Sequence, residues 1–169
     1  MLSATLRASG RPGTMRSVRE DERPAPERVS VLDREPKAGD VSVAASRRFR
    51  GVEVETARRA LTSRGHSVLV ARSGGDGLYV AIQGPGPGGG MVGSTRGVLG
   101  ERGAIVLVSS EGRRVFVGGI VADDVSAVRV GDVPAQLRNN GFLAEIGPDD
   151  SPVVVITKPA GEREVGAPR

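Results

Sequence analysis

The order of apolar and polar positions changes character near residue 66. Beyond that point, short apolar runs rich in Val, Ile and Leu are separated by turn residues about every 8 to 12 positions, a spacing typical of all-β folds. The runs predict eight strands, at residues 67–72, 78–82, 104–109, 114–121, 126–130, 133–138, 142–146 and 152–158. Because no strand–helix–strand rhythm accompanies them, we expect an antiparallel sandwich or a small barrel.

Two local patterns indicate how these strands are joined. Turn residues link 67–72 to 78–82 and 104–109 to 114–121, so each pair predicts a hairpin. Both faces of the 114–121 run are apolar, which favours a central strand. Gly118-Gly119 inside this run predicts either a bulge or the close approach of another backbone.

The dipeptide Asn140-Gly141 predicts a tight hairpin turn. A type I′ turn needs positive φ at both central residues, and Asn followed by Gly tolerates this best. We therefore assign structural turn roles to Asp123, Asn140 and Gly141. On this reasoning Gly141→Val should destabilise the fold by roughly 1 kcal/mol or more.

One segment before residue 66 has the pattern of a short helix. Residues 51–63 contain good helix formers and place four apolar side chains at i, i+3, i+6 and i+7, namely Val54, Ala57, Ala60 and Leu61. Gly65 follows where a C-terminal cap would lie. The sequence thus predicts one short helix near residues 52–63.

The N-terminal residues differ from the rest of the chain in composition. Residues 1–45 are rich in Arg, Pro and Glu and offer few apolar side chains to bury, so we expect a disordered tail. Residues 46–169 are then a single β-rich domain. Met15 is an alternative start to Met1.

Composition narrows the range of functions. The chain has 24 Lys and Arg against 20 Asp and Glu, no Cys and one His. Without Cys there is no disulfide, thiolate metal site or cysteine nucleophile, and one His excludes any site that needs two. No apolar run is long enough for a signal peptide or a membrane-spanning helix, so we expect a cytoplasmic protein without a membrane contact.

Two phrases stand out in the last third of the chain: VFVGGIVADDV, with Gly119 and Asp123, and the turn at Asn139-Asn140 before Phe142. In these phrases the chain resembles a family of small, uncharacterised actinobacterial proteins. The resemblance extends over roughly residues 31–158 and implies a β-rich C-terminal domain without implying a reaction. Members of that family often carry two cysteines where this chain has Tyr79 and Met91, so the resemblance implies that an oxidisable pair has been lost.

A glycine-rich stretch is the main candidate for ligand or partner contacts. Gly84, Gly86 and Gly89 fit G-x-G-x-x-G, but the next residues are poor helix formers, and a dinucleotide site needs a helix there. We therefore predict no cofactor. Because long end loops often contact partners, we assign interaction roles to five residues: Gly84, Gly86, Gly88, Met91 and Arg96.

Catalytic and metal-binding residues are not evident. His66 lacks a G-x-S-x-G partner and is expected to be a solvent-facing linker residue. Asp123-Asp124 and Asp149-Asp150 are adjacent pairs, and neighbours on a strand point to opposite faces, so turn chemistry explains them best. We assign no catalytic residue and no metal site.

The leading functional hypothesis is a non-catalytic β-sandwich that binds a protein partner or associates with itself, through end loops or an open edge strand. One alternative is nucleic-acid or acidic-surface binding through the Arg-rich N-terminal region. The other is a hydrolase that uses carboxylates alone, with Asp123 and Asp124 as its acids.

Overall fold

A computed structural model describes residues 28–40, 52–86 and 89–166. Within these ranges the protein is all-β, as predicted, and its strands pair in antiparallel fashion. The strands are β1 Arg58–Ser63, β2 His66–Ser73, β3 Gly77–Gln83, β4 Gly89–Thr95, β5 Ala104–Glu111, β6 Arg114–Val121, β7 Ala127–Val130, β8 Val133–Pro134, β9 Gln136–Arg138, β10 Gly141–Ile146, β11 Val154–Lys158 and β12 Gly161–Val165. Helix α1 spans Arg96–Arg102, and single 3₁₀ turns lie at Ser30–Leu32 and Val54–Thr56.

In the described part of the chain, the strands form three four-stranded sheets. Sheet 1 has the order β1-β2-β3-β4, sheet 2 the order β5-β6-β10-β9, and sheet 3 the order β12-β11-β7-β8. The two predicted hairpins are confirmed as β2–β3 and β5–β6. The predicted strand at 133–138 instead divides at Ala135, where the chain leaves sheet 3 and enters sheet 2.

Sheet 2 lies between the other two sheets and is apolar on both faces. Alternate residues of β5 show this: Ile105 and Leu107 belong to the core shared with sheet 1, whereas Ala104 and Val106 belong to the core shared with sheet 3. Strand β10 alternates in the same way. The three sheets therefore stack as layers around two hydrophobic cores.

Strand β6 is central in sheet 2, as its two apolar faces predict. It pairs with β5 on one side and β10 on the other, without a register shift at Gly118 or Gly119. A Cβ on Gly119 would lie 1.9 Å from the carbonyl oxygen of Ile105, and one on Gly118 would lie 2.8 Å from that of Phe142. The close backbone approach is confirmed, and the alternative of a bulge is wrong.

The helix predicted near residues 52–63 is wrong. Only Val54–Thr56 makes a single 3₁₀ turn, and the following residues form β1. A register shift between Arg59 and Leu61 turns Ala60 and Leu61 toward the same core. This irregularity interrupts the two-residue period of a strand and produces apolar spacing that resembles a helix.

The observed helix, α1, occupies a segment that has few strong helix formers. The Thr95 side chain caps its start by accepting a hydrogen bond from Val98 N at 3.2 Å. Gly103 ends it with a φ of +80° and donates its N–H to Leu99 O. Leu99 is fully buried in the core between sheets 1 and 2, and this tertiary contact outweighs the weak helix propensity.

The predicted disordered tail, residues 1–45, is wrong for residues 28–40. Val29, Val31 and Leu32 are buried in the core between sheets 1 and 2. The carboxylate of Asp40 pairs with Arg34, with a shortest N–O distance of 2.7 Å. Burial acts to raise the pKa of Asp40, but hydrogen bonds from Arg34 and from backbone N–H groups hold it well below its usual range. Residues 1–27 and 41–51 lie outside the described residues.

The predicted hairpin turn lies one residue earlier than expected. Asn139 and Asn140 are its central residues, with φ of +47° and +66°, and Arg138 pairs with Gly141 across it. Both central residues have the positive φ that a type I′ turn requires, but Gly141 is the first residue of β10.

No helix in the described residues is long and apolar enough to cross a membrane.

Candidate functional site

The five residues predicted to make interactions do not form one site. Gly84 and Gly86 lie in the loop between β3 and β4, and Gly88 lies outside the described residues. Met91 is on β4, and Arg96 is the first residue of α1, beyond the far end of that strand. Because seven extended residues span about 20 Å, Arg96 is separated from the glycine-rich loop by most of the sheet.

Gly84 and Gly86 lie against two polar side chains at one end of the core between sheets 1 and 2. A Cβ on Gly84 would lie 2.8 Å from Nε2 of His66, and one on Gly86 would lie 3.3 Å from Oε1 of Glu111. The imidazole therefore occupies the space that a side chain at position 84 would need. This gives Gly84 a packing role.

His66 is buried, so the prediction of a solvent-facing linker histidine is wrong. It begins β2 and is 3% exposed, and its ring stacks on Phe116 with 3.7 Å between ring centroids. Its Nε2 lies 3.1 Å from Oε2 of Glu111, and its Nδ1 lies 3.2 Å from the carbonyl oxygen of Arg64. Each ring nitrogen thus has an acceptor oxygen within the protein as its partner.

A second carboxylate at this end, Glu145, is held by two arginines. Arg114 binds it through two hydrogen bonds of 2.7 and 2.9 Å, and Arg64 adds a third of 2.9 Å. The hydrogen bonds from Arg114 and then Arg64 lower the pKa of Glu145 to about 2. The guanidinium of Arg114 also lies 5.1 Å from the centre of the Phe116 ring.

These contacts connect several elements at one end of the sandwich. They link the β1–β2 turn, the β5–β6 hairpin and β10 to one another through Arg64, Glu111, Arg114 and Glu145. Across the described ranges, no three His, Cys, Asp or Glu side chains are grouped so that they could hold a metal ion.

The adjacent carboxylates Asp123 and Asp124 bind different partners. Oδ1 of Asp123 accepts hydrogen bonds from the Ser30 N–H at 2.9 Å and from the Asn140 amide at 2.7 Å. Asp124 instead lies 3.0 Å from Nζ of Lys158. The two carboxylates therefore take part in separate contacts, and Asp123 joins the 3₁₀ turn Ser30–Leu32 to the β9–β10 turn.

Within the described residues, the outer face of sheet 1 is apolar; it is covered at Leu69 and Ala81 and exposed along β4. Tyr79 and the partly exposed Val54 pack there against the buried Leu69 and Ala81. Met91 pairs with Ala81 across β3–β4 and shares this face, and its side chain is 46% exposed. The outward positions of β2, β3 and β4 carry no charged side chain. They are Ser67, Leu69, Ala71, Ser73, Gly77, Tyr79, Ala81, Gln83, Gly89, Met91, Gly93 and Thr95.

The outer face of sheet 3 has the opposite character. Its outward positions include Arg129, Glu162 and Glu164, and Arg129 lies 3.5 Å from Glu162. Strand β12 is an edge of this sheet, and its exposed residues are mostly charged. Charges on an edge strand discourage pairing with another chain, so β12 is a poorer docking strand than its exposure alone indicates.

The described part of the chain carries almost balanced charge, with 15 Lys and Arg against 16 Asp and Glu. The whole chain has a formal net charge of +4, so the positive excess lies in residues outside the described ranges. The described domain therefore offers no general electrostatic attraction to nucleic acid.

Comparison with known proteins gives no relative. No protein-family model matches the chain, and no curated protein or solved structure is similar to it. The resemblance to small actinobacterial proteins stays a prediction.

Sequence reasoning selected Met91 but missed Tyr79 on the same face. The signal was present in the alternation of β3, where Leu78, Val80 and Ile82 point into the core and leave Tyr79 pointing outward. The missed role of His66 has a similar signal, because His66 continues the inward series of Val68 and Val70.

Proposed function

We propose that this protein is a non-catalytic interaction module that binds a protein partner or a second copy of itself through the outer face of sheet 1. The observation that supports this proposal best is the exposure of Met91 on a sheet face without charged outward residues in β2, β3 and β4. Contiguous uncharged and apolar surface is typical of protein interaction sites.

The chemistry of this face fits a protein surface as its ligand. Met and the aromatic residues are enriched in the centres of protein interfaces, and charged residues are depleted there. Met91 supplies a flexible apolar side chain, and Tyr79 supplies a large rigid ring with a polar end. The small neighbour Gly93 is exposed and leaves room beside Met91.

The catalytic alternative has less support from the geometry. A hydrolase based on Asp123 and Asp124 needs both carboxylates at one substrate, and they contact different elements. Nucleic-acid or acidic-surface binding by the N-terminal region is favoured only by the positive excess outside the described residues. That hypothesis predicts binding that weakens steeply with salt and is lost when residues 1–50 are deleted.

The proposal can be tested with a photo-reactive amino acid placed at position 91 of the full chain in the native cell. A matched control carries the same amino acid at Ala127, an exposed strand position on the outer face of sheet 3. We expect cross-linked protein adducts from position 91 and few from position 127. Absence of adducts at position 91, or equal yields at both positions, would contradict the proposal.

A further inference from the structure

We propose that Asn140 is a deamidation site, that release of residues 28–33 from the core starts its reaction, and that the product keeps these residues released. The two asparagines of the chain, Asn139 and Asn140, are adjacent, and only Asn140 is followed by glycine. Glycine after asparagine favours deamidation, because it has no side chain to hinder the attack and its backbone is the most flexible. The dipeptide that the sequence singles out as a turn therefore also holds the most reactive asparagine of the chain.

The reaction needs only the chain and water. The backbone nitrogen of Gly141 attacks Cγ of Asn140, so that a C–N bond forms between them, and this nitrogen gives up its proton. The bond from Cγ to the side-chain nitrogen breaks, ammonia leaves, and a cyclic succinimide results. Water then opens the ring at either carbonyl and leaves aspartate or isoaspartate at position 140. Water is taken up, ammonia is released, and nothing is oxidised or reduced.

The folded chain holds the Asn140 amide away from this reaction. The residue is 9% exposed. Its Oδ1 accepts hydrogen bonds from the Ser30 hydroxyl and the Val31 N–H, both at 3.1 Å. Its Nδ2 donates to the Val121 carbonyl oxygen at 3.1 Å and to Asp123 at 2.7 Å. Both lone pairs and both protons of the amide are thus used, and the side chain cannot turn toward the next backbone nitrogen without breaking these bonds.

One short segment, residues 28–33, supplies both hydrogen bonds to Oδ1 of Asn140. It contains the single 3₁₀ turn Ser30–Leu32. Its apolar side chains Val29, Val31 and Leu32 enter the core between sheets 1 and 2. A segment of one turn with three apolar side chains opens at a lower free energy than a core strand. Its release frees Oδ1 of Asn140 and uncovers the amide, which allows the attack.

Deamidation should then prevent residues 28–33 from returning to the core. The amide nitrogen that is lost donates to Val121 O and to Asp123, and a carboxylate has no proton to donate to either. The product therefore places acceptor against acceptor at both contacts, and a second negative charge beside Asp123. Isoaspartate also adds a main-chain carbon to the turn. Because Asp123 also accepts the Ser30 N–H, displacing Asp123 removes a contact that holds residues 28–33 in place.

The first experiment follows deamidation of the full chain in mildly alkaline buffer, with and without urea, by peptide mass spectrometry. The tryptic peptide that begins at Asn139 contains both asparagines, and its fragments distinguish them. In urea Asn140 should react faster than Asn139. In native buffer Asn140 should react at least about tenfold more slowly than in urea, because it reacts only while residues 28–33 are released. Equal rates in the two conditions, or an unreactive Asn140 in urea, would overturn the proposal.

Two matched valine variants test whether residues 28–33 control the rate. Val31 and Val165 are each 3% exposed, and Val165 lies in the core between sheets 2 and 3. Val31→Ala removes two buried methyl groups from the segment and should speed deamidation of Asn140 in native buffer about tenfold, whereas Val165→Ala should not. Equal acceleration by both variants would show that global unfolding limits the reaction and would overturn the control by this segment. Thermal melting establishes that each variant is folded, and Ser30→Ala, at an exposed position, should act in the same direction as Val31→Ala.

The effect of the product is tested with Asn140→Asp, and Asn139→Asp is the control. Asn139 is exposed, so the same change of charge there leaves the buried contacts in place. Amide hydrogen exchange at residues 29–33 should be at least about tenfold faster in Asn140→Asp and unchanged in Asn139→Asp. Unchanged exchange in Asn140→Asp, or an equal increase in both variants, would overturn the claim that deamidation keeps the segment released.

Discussion

Gly141 of sheet 2 lies in direct contact with β1 of sheet 1, and adding a single methyl group there should lower the free energy of unfolding. A Cβ at position 141 would lie 2.6 Å from Cβ of Ala60 on β1 and 3.3 Å from Cβ of Leu61. Asn139 contributes to the same contact between the sheets, because its side-chain amide donates a hydrogen bond to Ala60 O at 3.2 Å. Gly141 does not have positive φ, so backbone strain is not the reason for glycine at this position.

The expected magnitude follows from this overpacking. Gly141→Ala should destabilise the fold by about 2 kcal/mol, within the range of about 1 to 3 kcal/mol for an extra methyl group in a packed core. Ala60→Gly alone should cost about 1.5 kcal/mol, because it removes a buried methyl group and adds a flexible glycine to β1. In the double variant the clash with Ala60 disappears, so its cost should be at least about 1 kcal/mol below the sum of the single costs.

Urea denaturation of the four proteins, with the free energy of unfolding obtained by linear extrapolation, measures this coupling. Gly141→Val should lower the free energy of unfolding more than Gly141→Ala does. The sequence also predicts destabilisation by this substitution, but through the backbone conformation of a turn, whereas the structure predicts it through steric overlap with β1. Additive single costs, or a Gly141→Ala variant as stable as the wild type, would refute the steric argument.

Three further substitutions test other contacts. Asn140→Ala should cost about 3 kcal/mol in urea denaturation, because it leaves the buried Val121 carbonyl and Val31 N–H without their hydrogen bonds; a cost below about 1 kcal/mol would show that the contact is replaced. Leu99→Ala should lower the free energy of unfolding by about 2 to 5 kcal/mol and lower the melting temperature. An unchanged melting temperature would show that α1 is dispensable for the core. The hydrogen bonds from Arg114 and Arg64 lower the folded-state pKa of Glu145 to about 2. Its contribution to the free energy of unfolding is therefore present above its unfolded pKa and is lost as pH falls from about 5 toward 2. Glu145→Gln should flatten the stability curve in that range, and an unchanged curve would contradict this role.

The apolar runs located most of the strands because local alternation and turn residues determine them. Strand β6 has the predicted bounds, and the β2–β3 and β5–β6 hairpins follow directly from their turns. Strand β1 escaped prediction because its register shift imitates helical spacing. Strand β4 escaped because glycine has low strand propensity, and pairing with β3 holds it in place.

The contacts that close the core were not predictable from short-range patterns. Glu111 is 45 positions from His66 in sequence, and Asn140 is 109 positions from Val31. Such pairs depend on the stacking of the sheets, which a single sequence does not specify. The burial of Val29, Val31 and Leu32 was missed for the same reason, because the core that this short apolar group enters is built from distant strands.

The layered arrangement also supports the proposal that the outer face of sheet 1 is a binding surface. Both faces of sheet 2 pack mostly against the two cores, and its exposed apolar side chain, Val108, lies on the edge strand β5. Sheet 3 faces outward with Arg129, Glu162 and Glu164, whose hydration opposes close packing with another protein. On sheet 1, the outward positions of β2, β3 and β4 around Met91 carry no charged side chain, so covering Met91 removes apolar surface at little cost in desolvation. If sheet 1 is covered in the cell, changing Met91 should therefore alter association far more than it alters folding.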